Sequence, residues 1–302
     1  MKIRVGVLRG GRGSNYERSL ADGLAVLRHM PGDFEAVDIF VDRDGVWHVS
    51  GVALPPENVA QRVDIVYSAL GEEAFETGGD AAILEHLVVP FVGSGRFSHA
   101  LARDRVRAGE VFSRAFLKTP PRTLFNANEH TEDDIFNIFR TTPQPSIVRT
   151  RTRLSSHTSL PATSYGALVE ALSQTGDVEP DIVIEAHIEG DDVMCIVLEN
   201  FRGEELYTLP VVEATSDGYM YPPRFSREEL DEVARIAREA HKALGARHFS
   251  QTHARISPRG VYVIETTLTP DHRDDGALHK GGDAVGLSRM HFLKHMVEQA
   301  LG

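Results

Sequence analysis

Three side chains near the carboxyl end of the sequence are of types that could bind a metal ion or form hydrogen bonds. His253 lies in an alternating segment, Phe249–Ile256, and Glu265 and Thr267 lie in a second one, Val261–Thr267. A Pro/Gly turn separates the two segments, so the pattern predicts a β-hairpin that brings the three side chains together. An imidazole beside one carboxylate is either a hydrogen-bonded pair or part of a metal site, and both interpretations stay open.

A glycine-rich turn near the amino end is a second candidate site. The apolar run Ile3–Leu8 is typical of a buried parallel strand, and Gly10, Gly11 and Gly13 follow it before a helix that begins near Tyr16. Such a turn presents backbone N–H groups and the positive end of a helix dipole to an anion. The alternative is a plain connection between strand and helix, and the sequence favours neither.

The composition of the 302-residue chain limits the class of protein. It is 41% hydrophobic and 25% charged, which is typical of a globular chain of two or three domains. A net charge of −12 argues against nucleic-acid and anionic-membrane partners, and no apolar run reaches the roughly 18 residues of a membrane span. No signal-peptide pattern is present, and the single cysteine, Cys195, fits a reducing compartment. We therefore expect a cytoplasmic protein with a buried, inert thiol.

The order of predicted elements indicates three units. Strands and helices alternate at the amino end, which predicts a parallel α/β sheet. A helix over Ser98–Phe116 opens a second unit, and the strand Ile182–Ile188 opens a third with long antiparallel strands. We expect domains at residues 1–94, 95–177 and 178–302, with α/β architecture first and α+β architecture in the C-terminal part. Further predicted elements are the strands Val193–Glu199 and Leu206–Val212 and the helices Arg227–Leu244 and Leu287–Leu301.

Five segments in matching order and spacing resemble the D-alanine–D-alanine ligase family. They are Gly10-Gly11-Arg12 with Tyr16–Leu20, then Val92–Gly95, Ile184–Gly190, Leu209–Glu213, and Leu244 through the hairpin to Pro270. The resemblance covers essentially the whole chain. It implies the three-domain ATP-grasp fold, with an N-terminal parallel α/β domain and with ATP held between the second and third domains.

The resemblance also implies residues that hold the amino-acid substrate and cover the phosphates. Glu17 stands where the family grips the ammonium group of the first D-alanine, and Ser19 supports it. A carboxylate suits this task because it both pairs with and orients an amine. Ser155 and Ser156 match the paired serines of the central loop that folds over the phosphates, although the glycine that follows them in the family is missing here.

The ATP contacts that the resemblance implies fall on the second and third units. Arg105 and Arg149 stand where the family has phosphate-binding lysines, and arginine keeps the charge with a planar, bidentate geometry. Asp192 aligns with the acidic residue that holds the ribose hydroxyls. The residues that frame the adenine, largely through backbone groups, align with Glu185, Ala186 and Ile188.

The metal ligands implied by the resemblance are altered. The family uses Asp, Glu and Asn for two Mg²⁺ ions, and the aligned residues are His253, Glu265 and Thr267. Mg²⁺ prefers oxygen ligands, so this set would suit Mn²⁺ or Zn²⁺ better. Gln251 replaces an arginine that stabilises the tetrahedral oxyanion, and it offers one neutral hydrogen bond there.

Taken together, the resemblance implies an ATP-dependent carboxylate–amine ligase of the D-alanine–D-alanine ligase type, with weak or altered activity. Its expected cofactors are ATP and Mg²⁺ or Mn²⁺, its expected substrate is D-alanine or another amino acid, and a homodimer is expected. The alternatives are a non-catalytic homologue that binds a nucleotide, a small ligand or a protein, and a ligase for a different amino acid. The polar loop at residues 271–275 is either a solvated loop or a remodelled pocket.

Overall fold

Three β-sheets follow one another along the chain and surround a shared cleft. The structure is a computed structural model that describes residues 2–71, 74, 79–153 and 159–302. Within these ranges, no helix is both long enough and apolar enough to cross a membrane. A largely parallel sheet at the amino end is followed by antiparallel sheets, which confirms the predicted fold class.

The first sheet is built on strands at the amino end. Its strands are β1 (Ile3–Gly10), β2 (Phe34–Val41), β3 (Trp47–Val49), β4 (Val52–Ala53), β5 (Ile65–Ser68) and β6 (Phe91–Val92), with helices α1 (Tyr16–His29), α2 (Pro56–Ala60) and α3 (Asp80–His86) between them. The order is β4-β3-β2-β1-β5-β6, and β3 and β4 form an antiparallel edge on an otherwise parallel sheet. Val5, Val7 and Leu8 are fully buried, as expected for a strand that is covered on both faces.

The glycine turn after β1 is a close-packed connection between strand and helix. Gly10 and Gly11 adopt φ angles of 94° and 95°, a region that glycine enters without steric cost. A Cβ atom at Gly10 would collide with the carbonyl oxygen of Val41. Gly10 N–H donates to the Ser19 hydroxyl and Gly11 N–H donates to the Val41 carbonyl. Because both N–H groups are used within the protein, the structure favours the plain connection over the anion site.

The second sheet is antiparallel and follows two short helices. These elements are α4 (Arg96–Arg103), α5 (Arg105–Arg114), β7 (Arg122–Asn126), α6 (Glu132–Thr141), β8 (Ser146–Thr150), β9 (Leu160–Ala162), α7 (Tyr165–Gly176) and β10 (Asp181–Ala186), and the strand order is β7-β10-β8-β9. The prediction of a single helix over Ser98–Phe116 is wrong, because Asp104 is extended with ψ of 104° and separates α4 from α5. Its carboxylate caps α5 by accepting from the backbone N–H groups of Val106 and Arg107.

Strand β10 belongs to the second sheet, which corrects the prediction that Ile182–Ile188 begins the third unit. Ile182 pairs with Phe125 of β7 on one side and with Thr150 of β8 on the other. Ile182, Val183 and Ile184 are fully buried, so the strand lies at the centre of the sheet. The division of the chain into the three predicted domains stays a prediction.

The third sheet carries the hairpin predicted from the sequence. Its elements are β11 (Asp191–Phe201), β12 (Glu204–Thr208), β13 (Val212–Thr215), β14 (Gly218–Met220), α8 (Arg227–Ala243), β15 (Phe249–Ser257), β16 (Gly260–Thr267), α9 (Ala277–Asp283) and α10 (Arg289–Leu301). The strands are ordered β14-β13-β11-β15-β16 across the sheet, and β12 also pairs with β11. The strand predicted over Leu206–Val212 is divided between β12 and β13, and Pro210, which has no N–H to donate, lies in the gap.

A shared apolar core joins the first sheet to the third. Phe292, Leu293 and Met296 of α10 are buried in the same cluster as Val5 of β1 and Phe249 of β15. Phe249 and Phe292 meet edge to face, with their ring centroids 6.2 Å apart. This core fixes the hairpin relative to the carboxyl ends of β1 and β5, and the cleft lies between them.

Candidate active site

A cleft of about 530 Å³ is lined by residues from all three sheets. The first sheet contributes the start of α1 and the segment after β5, the second contributes β8 and the junction of α4 with α5, and the third contributes the hairpin and the segment after it. Six arginines line it, namely Arg18, Arg103, Arg105, Arg149, Arg153 and Arg273. A polar cleft with this many cations is suited to a ligand that carries several negative charges.

Glu265 is engaged by arginines inside this cleft. Its Oε2 atom accepts from Arg105 Nη1 at 3.2 Å and lies 3.9 Å from Arg153 Nη1. Burial alone would raise the pKa of the carboxyl group, but the charges of Arg153 and Arg105 outweigh burial and lower the pKa to about 2. The carboxylate is therefore ionised near neutral pH and its charge is already neutralised by the protein.

His253 and Glu265 are register partners across the hairpin, but the imidazole bonds elsewhere. Its Nε2 atom lies 2.8 Å from Asp192 Oδ1. Arg255 donates to both oxygens of the same carboxylate. Burial would raise the pKa of Asp192, and the hydrogen bonds from His253 and Arg255 together lower it far below the usual range. Asp192, which was predicted to hold ribose hydroxyls, thus already accepts hydrogen bonds from side chains of the third sheet.

The hairpin donors do not fit a Mg²⁺ site. Glu265 is the one carboxylate among the three predicted ligands, and its contacts are arginines. Thr267 donates its hydroxyl hydrogen to the carbonyl of Gln251 at 3.4 Å. Across the described ranges, no group of three or more His, Cys, Asp or Glu side chains is placed to hold a metal ion. A hard cation needs several oxygen ligands, and this arrangement presents guanidinium groups in their place.

Glu185 is a buried acid that lies between two arginines of the second sheet. It is 1% exposed, and its Oε2 atom accepts from Arg122 Nε at 2.6 Å. Its other oxygen, Oε1, lies 3.9 Å from Arg149 Nη1. Arg149 Nε is buried and has no hydrogen-bond partner within the described ranges. The side chain of Glu185 therefore holds Arg149 at the wall of the cleft.

The backbone groups predicted to frame an adenine are already hydrogen-bonded. The Ala186 N–H donates to the carbonyl of Pro121 at 2.9 Å. The Ile188 carbonyl accepts from Arg255 Nη1 at 2.9 Å, although a carbonyl oxygen can accept a second hydrogen bond. Ser155 and Ser156, the predicted phosphate-loop serines, lie outside the described residues.

Helix α1 presents a different set of residues from the one predicted. Ser19 lines the cleft, but the Glu17 side chain is 80% exposed and pairs with Arg43 at 2.9 Å outside it. Residues two positions apart on a helix point to different sides, and Asn15, Arg18 and Asp22 share the face of Ser19. The predicted contact of Glu17 with substrate is therefore not supported by its position. The spacing of positions 15, 18, 19 and 22 was the sequence signal that could have identified this face.

Gln251 lies on the floor of the cleft with an unused acceptor. Its Oε1 atom is buried and has no hydrogen-bond partner within the described ranges. Its Nε2 atom lies 4.0 Å from the sulfur of Met194, a weak acceptor. The amide can therefore turn toward a bound group without losing a strong hydrogen bond.

Charged residues after the hairpin also line the cleft. Asp271 accepts from Arg273 through both oxygens, and its Oδ1 atom lies 3.3 Å from Arg18 Nη2. Asp22 lies 3.5 Å from Arg18, and burial is the main reason that its pKa is raised. Asp271 is 8% exposed. The first part of the loop at 271–275 is therefore a wall of the pocket and not a solvated loop.

A buried histidine supports this wall from behind. His272 is 6% exposed, and its Nε2 atom lies 2.9 Å from the Tyr67 hydroxyl. Burial lowers the pKa of His272 to about 3, so the ring is neutral. The neutral pair fixes the backbone between Asp271 and Arg273.

Sequence and structure comparisons place this architecture among known proteins. No protein-family model matches the chain. It is 26% identical to a D-alanine–D-alanine ligase of Pelotomaculum thermopropionicum, over 100% of this chain and 98% of that protein. It is 27% identical to the ligase of the same description from Hydrogenovibrio crunogenus, over 94% of this chain and 90% of that protein.

Solved structures agree over the same length. VanG D-Ala:D-Ser ligase from Enterococcus faecalis matches with a TM-score of 0.88 at 22% identity, covering 99% of this chain and 100% of that chain. D-alanine–D-alanine ligase from Bacillus anthracis complexed with ATP matches with a TM-score of 0.82 at 19% identity, covering 99% and 97%. The predicted resemblance to the D-alanine–D-alanine ligases and the ATP-grasp fold are therefore confirmed.

Proposed function

We propose that this protein is an ATP-dependent carboxylate–amine ligase of the D-alanine–D-alanine ligase type, with D-alanine as the first candidate substrate and with altered activity. The observation that carries the proposal is the position of the arginine-lined cleft in a fold that resembles these ligases along the whole chain. The cleft is lined by an arginine-rich group around Glu265 and by a mixed-charge group around Asp271, so it offers contacts for a polyanion and for an amino acid.

The mixed-charge group suits an amino acid. Arg18 and Arg273 offer guanidinium groups for a carboxylate, and Asp22 and Asp271 offer carboxylates for an ammonium group. A zwitterionic amino acid would therefore replace ion pairs that already exist between these side chains. Each charged side chain would exchange its present partner for a charged group of the amino acid, so no charge would be left unpaired. The recognition would be mainly polar, because these four charged side chains would contact both charged groups of the amino acid.

The proposed reaction has two steps that conserve atoms and charge. The carboxylate of one amino acid attacks the γ-phosphorus of ATP, the bond from γ-phosphorus to the bridging oxygen breaks, and ADP leaves. The ammonium group of a second molecule loses a proton to solvent, and the resulting amine attacks the carbonyl carbon of the acyl phosphate. The bond from this carbon to the phosphate oxygen then breaks, and the leaving phosphate takes up a proton from the nitrogen as the amide forms. Arg105 and Arg149 would hold the phosphates, and Gln251 Nε2 would donate to the tetrahedral oxyanion.

Phosphate release tests the proposal. Purified full-length protein would be incubated with ATP and D-alanine in EDTA, Mg²⁺ or Mn²⁺, and inorganic phosphate and dipeptide would be measured. We expect phosphate release that depends on D-alanine, and a lower rate in Arg149→Gln than in Arg235→Gln, whose side chain pairs with Glu232 on the exposed face of α8. Phosphate release with other amino acids only would reassign the substrate, and no release with any amino acid would overturn the proposal.

A specific observation favours a second candidate, a non-catalytic homologue that binds a nucleotide, a small ligand or a protein. Glu265 and Asp192, two acids predicted to act on metal and nucleotide, are held by Arg105 and Arg255. Ligand-dependent thermal stabilisation without phosphate release would support this candidate. The proposal also includes a cytoplasmic location and a homodimer, and light scattering of the purified protein would test the homodimer.

A further inference from the structure

The cluster around Glu265 carries more positive than negative charge. Arg105 and Arg153 face Glu265, while Arg122 and Arg149 share the buried carboxylate of Glu185. Among the residues that the structure describes, four guanidinium groups therefore face these two carboxylates in a partly desolvated place. The positive charges of neighbouring guanidinium groups repel one another, and an anion that enters the cluster relieves this repulsion.

Hydrogen-bond donors in this cluster remain available. The Nε atoms of Arg105 and Arg149 are buried and have no hydrogen-bond partner within the described ranges. Leaving a buried charged donor without a partner is costly, and a ligand that supplies an acceptor recovers that cost. Guanidinium groups match phosphate and carboxylate oxygens in a bidentate geometry, and the excess of positive charge favours phosphate, which carries the larger negative charge.

The same cluster would repel a divalent cation bound at Glu265. Such a cation would have to displace Arg105 from Oε2 while Arg153 remains close to the same atom. It would gain one carboxylate and would stand among guanidinium groups, which repel it. The same surroundings that attract a phosphate therefore disfavour a metal ion bound to this residue.

We propose that Arg105, Arg149 and Arg153 bind the phosphate groups of a nucleotide directly, and that no divalent cation is coordinated by Glu265 when the nucleotide binds. In this arrangement Glu265 is an internal anion that competes with the ligand for Arg105 and Arg153. The inference rests on the proposed function for the choice of a nucleotide. It concerns how phosphate groups bind, and binding can be measured in the absence of catalytic turnover.

The first test measures binding of two probes, tripolyphosphate and ATP, to the full-length protein by titration calorimetry in excess EDTA and in excess Mg²⁺. We expect both probes to bind in EDTA, and Mg²⁺ to weaken their binding because it neutralises the phosphates. Binding that requires Mg²⁺ would overturn the inference. Absence of binding by both probes in both conditions would also overturn it.

The second test uses a substitution that should strengthen phosphate binding if the arginines bind phosphate directly, and weaken nucleotide binding if Glu265 coordinates a metal ion. Glu265→Gln should tighten tripolyphosphate binding in EDTA by about tenfold, because Arg105 and Arg153 lose their competing carboxylate. A metal-based site would instead lose a ligand, and ATP would bind more weakly in Mg²⁺. Glu205→Gln, on the exposed edge strand β12, makes the same chemical change outside the cleft and should leave binding unchanged.

A third variant tests the inference independently in case Glu265→Gln does not fold. Arg149→Gln leaves Glu185 paired with Arg122 and should weaken tripolyphosphate binding in EDTA by about tenfold or more. Unchanged binding in this variant would overturn the inference. Metal-free binding without turnover would keep this inference and overturn the ligase, whereas turnover with strictly Mg²⁺-dependent binding would do the reverse.

Discussion

Arg255 holds Asp192 through both carboxylate oxygens, with Nε 2.7 Å from Oδ1 and Nη2 2.8 Å from Oδ2. The third guanidinium nitrogen donates to the Ile188 carbonyl. One side chain thus occupies two groups that the sequence assigned to the nucleotide, the ribose-binding acid and a backbone group beside the adenine. A nucleotide bound as the resemblance implies would therefore compete with Arg255 of β15 for these two groups.

Replacement of Arg255 should improve nucleoside recognition. Arg255→Met removes the guanidinium, frees Asp192 Oδ2 and the Ile188 carbonyl, and leaves His253 on Asp192 Oδ1, so we expect ATP to bind several-fold more tightly, a gain of about 1 kcal/mol for one recovered hydrogen bond. Tripolyphosphate has no ribose or base, and its affinity should not rise. Calorimetric titration of both ligands measures the difference, and Arg235→Met controls for loss of an arginine. Equal tightening of both ligands would contradict the assignment.

Removal of Arg122 should destabilise the second sheet strongly. Glu185 is 1% exposed, and Arg122→Met leaves its carboxylate with Arg149 at 3.9 Å as the remaining cation. Loss of one partner of a buried ion pair costs about 3–5 kcal/mol, whereas apolar replacement of both partners is often neutral. We expect Arg122→Met to lower the free energy of unfolding by that amount and Arg122→Met/Glu185→Leu to recover part of it, because the double variant leaves Arg149 without its carboxylate. Urea denaturation of the two variants checks this, and a double variant as unstable as the single one would refute it.

Ser19 should matter for stability as well as for the shape of the cleft. Its hydroxyl accepts the Gly10 N–H at 2.9 Å in a buried position, and Ser19→Ala leaves that donor without a partner. An unsatisfied buried donor costs about 1–3 kcal/mol. Chemical denaturation should show this loss, while Ser173→Ala on the exposed face of α7 should change stability little. Equal effects of the two substitutions would show that the Gly10 contact contributes nothing specific.

Acid should weaken the fold through His248. Burial is the main cause that lowers the pKa of its imidazole, from 6.5 to about 4, and Nδ1 accepts the Gly93 N–H at 3.0 Å. Above pH 6.5 the ring is neutral in the folded and unfolded states. Between pH 6.5 and pH 4 the unfolded state binds the additional proton, so stability is lost as pH falls. The loss at pH 5 is about 2 kcal/mol for this group.

His248→Asn isolates this contribution. His248 has a φ of 63°, which asparagine tolerates, and the asparagine carbonyl can accept the Gly93 N–H. The difference in unfolding free energy between wild type and variant should change by about 2 kcal/mol from pH 7.5 to pH 5, in favour of the variant at pH 5. Thermal or urea unfolding at both pH values measures it. A difference that does not change with pH would show that the ring is not buried in its neutral form.

Local patterns were sufficient for much of the fold. The hairpin could be predicted because alternation and a Pro/Gly turn are short-range signals, and β1 could be predicted because a buried parallel strand is continuously apolar. The break at Asp104 carried a local signal, an N-cap acid, that the surrounding helical pattern concealed. Helix α6 was missed, although Thr131 and Asp134 form a capping box at its start.

Partner choice within the cleft could not be predicted from spacing. Arg105 and Glu265 are 160 positions apart, and their contact depends on how the second and third sheets meet. Arg105, Arg149 and Gln251, which the resemblance assigned to the site, line the cleft, but the resemblance carried no information on which neighbour contacts each side chain. The roles predicted for these residues stay predictions.

Cys195 makes this protein easy to label at chosen positions. The thiol is 0% exposed in β11, and burial raises its pKa to about 12, so alkylating reagents that need an accessible thiolate will not modify the folded chain. No other cysteine occurs in the sequence. Cysteines introduced at the exposed Val52 and Val178 would therefore react alone, and a pair of fluorophores there would report the distance between the first and second sheets as each ligand is added.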